Sequence, residues 1–143
     1  MIRDVFQEIA RFYRYFFFRT YAWRLARGPK DSPEISALWM VVLVIYSNLL
    51  AAILAAMSFF RLSIAISSAQ ARIGGVVLGL PIFFLLYFLW LSNSRYLSFE
   101  AEFAGESESE KKRRKMILIV YSVISGFLPI LIALLGPRWP RTM

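Results

Sequence analysis

Cysteine and histidine are both absent from the 143 residues. Without cysteine there is no disulfide, no thiolate zinc site and no thiol nucleophile. Without histidine the commonest metal ligand and the usual general base are missing. Acids are scarce: nine Asp and Glu stand against seventeen Lys and Arg, a formal net charge of +8. Charge is missing altogether from three long stretches, Ile35–Phe60, Ile73–Ser94 and Met116–Pro137. All nine acids lie outside these stretches, so no carboxylate is placed for a proton relay inside an apolar layer. The chain also lacks H-E-x-x-H, G-x-S-x-G, a P-loop and a dinucleotide fingerprint. These absences predict a protein that is not an enzyme and needs neither cofactor nor metal.

What is abundant is apolar surface. Hydrophobic residues make up 59% and aromatics 17% of the chain, and the mean hydropathy is +0.58. Each uncharged stretch can cross a bilayer core of ~30 Å as a helix rising ~1.5 Å per residue. A soluble domain of this size leaves too much of its chain at the surface to hide three such runs. The expected fold class is therefore an all-α integral membrane protein. Transmembrane helices at 35–60, 73–94 and 116–137 are preceded by an amphipathic, aromatic and basic interfacial helix at 1–28. In a soluble protein the positive balance would direct attention to nucleic acid. Here anionic lipid headgroups explain it more simply.

In the N-terminal helix Ile2, Val5, Phe6, Ile9, Phe12, Tyr13, Phe16 and Phe17 fall near helical spacing and form an apolar stripe. Arg3, Gln7, Arg11 and Arg14 lie away from it, and Arg19 follows among further aromatic residues. Aromatic rings favour the headgroup zone and arginines there meet phosphate. The competing expectation is a helix packed on the ends of the spans. The first 30 residues lack the apolar core and small-residue cleavage site of a secretory signal, so the whole chain is expected to be mature. Gly28-Pro29 ends the helix, glycine supplying the left-handed cap and proline refusing the next hydrogen bond. Ser32-Pro33-Glu34 starts the first span, with Ser32 able to cap and Pro33 suited to the first helical position.

Inside the spans a few residues depart from plain hydrocarbon. Asn48 lies near the centre of the first span beside Tyr46 and Ser47, and its amide needs a partner, either another helix or a water-filled pore. Ala51/Ala55, Gly75/Gly79 and Ser122/Gly126 are small residues four apart, which permit close helix approach. Pro81 and Pro129 favour bends. Asn48, Gly75, Gly79, Ser122 and Gly126 are thus the candidates for helix packing or pore lining. Leu62, Ile64 and Ile66 leave open a short interfacial segment in the first connection.

The connection at 95–115 is the main polar region. Tyr96, Phe99 and Phe103 recur at helical spacing, so the second helix is expected to continue past the membrane to about Gly105 with one aromatic face. Ser107 and Glu110 have the spacing of a capping box. Glu108–Lys112 and Glu110–Arg114 have the favourable i,i+4 order. Lys111, Lys112, Arg113, Arg114 and Lys115 stand immediately before the third span, as a topology determinant and phosphate anchor. A short tail at 138–143 ends the chain. The segment SNSRYLSFEAEFAGESESEKKRRK, behind an aromatic and basic N-terminus, resembles a loop pattern in uncharacterised small three-span bacterial membrane proteins, notably of Bacteroidota. Asn93, Arg95-Tyr96, Phe103, Ser107 and the run from Lys111 carry the resemblance. It implies a bacterial inner-membrane protein and supplies no activity.

Two function classes follow. One is a homo-oligomeric scaffold or the membrane subunit of a larger assembly, whose partners are the anionic bilayer and itself or another membrane protein. Arg11, Arg14, Arg19, Tyr96, Phe99, Phe103 and the basic run from Lys111 to Lys115 are its candidate headgroup or partner surface. The other is a membrane-permeabilising or channel-forming protein, such as a bacterial defence effector, resting on Asn48, the serines of the third span and the Gly/Pro bends. Thirteen basic residues precede the first span or occupy the second connection, against Arg61, Arg72, Arg138 and Arg141 on the other side. This bias predicts a cytoplasmic N-terminus and an outer C-terminus.

Overall fold

A computed structural model describes residues 2–28, 32–60 and 68–135, excepting the side chains of 68, 69, 71 and 72. The described chain is helical, without strands. Its helices are α1 (Ile2–Ala26), α2 (Pro33–Phe59), α3 (Ser68–Leu86), α4 (Leu97–Phe103) and α5 (Glu108–Leu135). Three segments are long and apolar enough to cross a membrane: Pro33–Phe59, Ile73–Ser94 and Glu108–Leu135. The chain is thus a multi-pass, all-α membrane protein. The first connection, with Leu62, Ile64 and Ile66, and the tail at 138–143 lie outside the described residues.

α2 is the hub, packing against α1, α3 and α5. Gly28, at φ +86°, closes α1 in the left-handed conformation that a side chain would strain. α1 then folds back along α2. Ser32 occupies the N-cap of α2 but makes no side-chain cap bond; its carbonyl accepts the Ser36 N–H, and Pro33 takes the first turn. The core is formed by Ala37, Leu38, Val41, Val42 and Val44 of α2 with Tyr15, Phe16 and Phe17 of α1, Leu86, Phe99, Phe103 and Leu118. Tyr15, Phe16, Phe17, Phe99 and Phe103 lie outside the three uncharged stretches, and each such side chain removed from water contributes about 1.5–3 kcal/mol, whereas the core residues of the spans exchange lipid contacts for protein contacts.

The apolar stripe of α1 is divided. Ile2, Val5, Phe6 and Ile9 are exposed, Phe12 and Tyr13 are half-buried, and Phe16 and Phe17 are core. The middle of α1 is therefore an integral part of the helix packing.

The second span does not continue as one helix to Gly105. After Leu86 the chain forms a π-helical turn, Tyr87–Leu91, and a 3-10 turn, Ser92–Ser94. Asn93 (φ 59°) and Ser94 (φ 54°) then adopt the left-handed conformation. The Ser92 N–H reaches back to the Tyr87 carbonyl and the Tyr96 N–H to the Trp90 carbonyl, satisfying helix-end carbonyls as the chain turns. Asn tolerates this backbone better than most residues. The turn lays α4 against α1 instead of extending it away from the spans. Pro81 and Pro129 are accommodated inside α3 and α5, with Pro129 buried. Ser107 and Glu110 make the full capping box: the Ser107 N–H donates to the Glu110 carboxylate at 3.1 Å, and the Glu110 N–H to the Ser107 hydroxyl at 3.3 Å.

Candidate functional site

The polar and aromatic residues of α1, α2, α4 and α5 meet at one junction. Its centre is Phe17, which is 1% exposed. Trp90, Tyr96 and Phe99 meet it edge-on with ring centroids 5.6–6.1 Å away, and Tyr21 stacks parallel to it. Phe103 sits edge-on to Tyr15 at 5.0 Å and beside Phe18. Edge-on aromatic pairs add ~0.5–1.5 kcal/mol beyond burial. The expected partner surface of Tyr96, Phe99 and Phe103 is thus occupied by the protein's own α1. Phe99 and Phe103 are buried and unavailable to an outside partner. The helical spacing of these residues is real, but the kink at Asn93 turns their face inward.

The arginines follow the same logic. Arg14 grips Glu102 with two bonds, Nε at 3.0 Å and Nη2 at 3.1 Å, and Arg11 approaches the same carboxylate at 3.6 Å. Arg19 donates to the Tyr15 hydroxyl, which donates to Glu106, and Arg114 pairs with Glu106. The Glu106 side chain is 8% exposed, so this pair is shielded far more than a surface pair. Arg14, Arg19 and Arg114, expected at headgroups or a partner, thus bind the fold itself. Glu108 bridges to Lys111 rather than Lys112, and Arg114 turns to Glu106 rather than Glu110. Lys112, Arg113 and Lys115 remain exposed and form no ion pair among the described residues. Arg27 lies 3.9 Å above the Trp23 ring, a cation–π contact at the end of α1.

Deeper along the bundle a hydrogen-bond chain links three helices. The Asn48 amide donates to the Tyr121 hydroxyl, which shares a 2.9 Å bond with the Tyr13 hydroxyl. Phe12 packs edge-on against Tyr121. Ser47 donates to the Ser125 carbonyl. The partner that Asn48 requires is therefore another helix. Ser122 donates to the Leu118 carbonyl of its own helix. Gly75 lets α3 approach α2: a Cβ there would stand 3.2 Å from the Tyr46 hydroxyl. Gly79 and Gly126 have open space around the position of a Cβ. Among the described residues no buried side-chain polar atom lacks a partner.

Burial and the Tyr121 bond push the Tyr13 phenol up to about 12. Burial raises Tyr15, opposed by Arg19 and reinforced by Glu106. Glu110 is held below its usual range by the Ser107 N–H and hydroxyl, and Glu108 by Lys111.

Between α1, α4 and α5 lies a cavity of about 270 Å³ lined by Glu8, Arg11, Phe12, Arg114, Ile117 and Leu118, with Tyr15 and Phe103 completing it. No three His, Cys, Asp or Glu residues gather to hold a metal ion among the described residues.

Sequence reasoning singled out Asn48 but missed Tyr121, its partner. The available signal was a hydroxyl-bearing ring inside an otherwise apolar span, which has the same need for a partner as the amide. Glu102 and Glu106 were missed because each lies on a different turn from its arginine partner and no local spacing rule reaches across 88 or 8 residues.

No family model, no curated protein and no solved structure matches the chain.

Proposed function

We propose that the protein is a non-enzymatic membrane scaffold, either a homo-oligomer or the membrane subunit of a larger assembly. The observation that carries this reading is the division of its polar and small residues. Asn48, the strongest pore candidate, spends its amide on Tyr121 within the subunit. Gly79 and Gly126 instead open outward, where a neighbouring helix can approach closely. A conduit would need unspent polar groups facing water, whereas outward-facing small residues need only another helix.

The setting proposed is a bacterial inner membrane, with the N-terminus in the cytoplasm and the C-terminus outside. The support is the bias of thirteen basic residues against four. The first turns of α1 are assigned to the interface. Ile2 is 72% and Phe6 67% exposed, with Val5 and Ile9 beside them, and amphipathic helices bury such residues at the headgroup boundary.

Mass measurement in micelles across a concentration series tests the scaffold reading; dimers or larger species are expected. A strictly monomeric particle removes the homo-oligomer form. Reporter fusions at both termini test orientation. A cytoplasmic signal after Met143 with a periplasmic one at Met1 overturns it.

A further inference from the structure

We infer that the cavity between α1, α4 and α5 is a binding site for a glycerophospholipid whose headgroup carries both a phosphodiester and an ammonium group. The inference rests on the membrane placement proposed above and is independent of self-association.

The location argues for a lipid. Lys115 is the last charged residue before the third span and Met116 begins its uncharged stretch. The cavity takes Arg114 from one side of that boundary and Ile117 and Leu118 from the other. Wherever the helix settles in a bilayer, a charged residue this close to the apolar stretch stays at the headgroup level. A ligand seated here meets guanidinium groups at one edge and hydrocarbon at the other, as a headgroup joined to an acyl chain does. Phe12 supplies further apolar wall on α1.

The charges argue for a zwitterion. Arg11 and Arg114 both line the cavity, but each is already shared with a carboxylate, Glu102 at 3.6 Å and Glu106 respectively. A purely anionic headgroup would find these guanidinium groups partly neutralised. Glu8 lines the same cavity and forms no ion pair among the described residues. It stands three residues from Arg11, a neighbour on the same helix face. A phosphate against Arg11 and Arg114 leaves its ammonium within reach of Glu8. A primary ammonium donates hydrogen bonds to that carboxylate, which a quaternary one cannot do. Ethanolamine-type phospholipids fit both signs, whereas glycerol-type anionic phospholipids meet Glu8 as a repulsive neighbour.

Native mass spectrometry of the full chain released from micelles reads this directly. The lipids are phosphatidylethanolamine, phosphatidylcholine and phosphatidylglycerol with identical acyl chains. Retention of phosphatidylethanolamine about three- to fivefold above the other two is expected, the range of a partly exposed charge pair. Glu8→Gln abolishes the preference, and Glu8→Lys transfers it to phosphatidylglycerol. Arg11→Gln lowers retention of every phospholipid. Excess soluble phosphoethanolamine leaves the bound lipid in place. The inference is overturned if phosphatidylglycerol is retained as well as phosphatidylethanolamine, or if Glu8→Gln keeps the preference. Displacement by soluble phosphoethanolamine would overturn the lipid as the source of the headgroup. Glu8 is exposed and unpaired to any described residue, so both its variants are expected to keep the wild-type thermal midpoint. Should Glu8→Lys unfold, Glu8→Gln still decides. The same spectra give the oligomeric mass, so failure of the lipid site and failure of self-association are read separately.

Discussion

The two ends of the helix packing are built by different rules. At the junction of α1, α4 and the first halves of α2 and α5, Phe17 is ringed by aromatic side chains, arginines are gripped by carboxylates, and Asn48 is tied through Tyr121 to Tyr13. Toward the far ends of α3 and α5 the side chains are apolar and exposed: Val76 and Val77 on one helix, Leu134 and Leu135 on the other. One end encodes a specific arrangement through directional contacts that only one geometry satisfies. The other encodes only affinity for hydrocarbon, because lipid tails are as apolar as leucine and give no net drive to helix association. Geometry is thus fixed at one end, and the other is left to be covered by lipid or by another helix.

The largest expected effect of breaking this contrast is Phe17→Ala. It removes the central ring of the dense end and should destabilise by ~3–5 kcal/mol, read as the midpoint of unfolding in micelles. A loss of less than ~1 kcal/mol would mean that the aromatic junction is not what holds the helices. Next comes Asn48→Leu, which deletes the bond to Tyr121 and should cost ~0.6–2 kcal/mol while leaving expression intact. Flux through liposomes should be the same for both forms. A wild-type ion flux abolished by the substitution would favour the channel reading instead.

A third effect is confined to alkaline solution. The unfolded Tyr13 ionises near pH 10, whereas the folded group is pushed up to about 12. The folded state therefore binds more protons in this window. The contribution is fully present below pH ~10 and is lost as pH rises through about 12. Tyr13→Phe should flatten that decline in a pH series of unfolding midpoints. An unchanged slope would show that the Tyr13 phenol is not buried against Tyr121 in the folded state. The smallest effect on stability belongs to the other end. Gly126→Leu fills open space and should change unfolding by less than ~0.5 kcal/mol. Its signature is a reduced oligomeric mass. A variant that associates as the wild type does would move the contact away from α5.

Long-range composition was legible in the sequence and pairing was not. The three spans follow from runs too long and uncharged for any soluble core, and Gly28 and the Ser107/Glu110 box follow from local backbone chemistry. Asn48's need for a helix partner could be reasoned from the cost of an unsatisfied amide, but which helix answers it depends on packing. The continuation of the second helix failed for a sharper reason. The periodicity of Tyr96, Phe99 and Phe103 is genuine, yet periodicity says nothing about a break just before it. Asn93-Ser94 carried the only local hint, a residue tolerant of the left-handed region followed by a small one. Once the chain turns there, a face expected to be open becomes core.

The capping box has a mechanical consequence. Because α5 is already helical from Glu108, the five successive cations from Lys111 to Lys115 are wound on a helix before hydrocarbon begins. At roughly 100° per residue they encircle the axis rather than lining one side. Lys111 and Arg114 are tethered to Glu108 and Glu106, Lys112 and Arg113 project in other directions, and Lys115 returns to the side of Lys111 and closes the collar. A helix with a collar resists sliding inward like a piston, because inward travel draws charge toward lipid on every side. The bonds of Tyr121 to Asn48 and Tyr13 and of Arg114 to Glu106 fix its rotation, so the collar and these bonds hold depth and rotation by separate means.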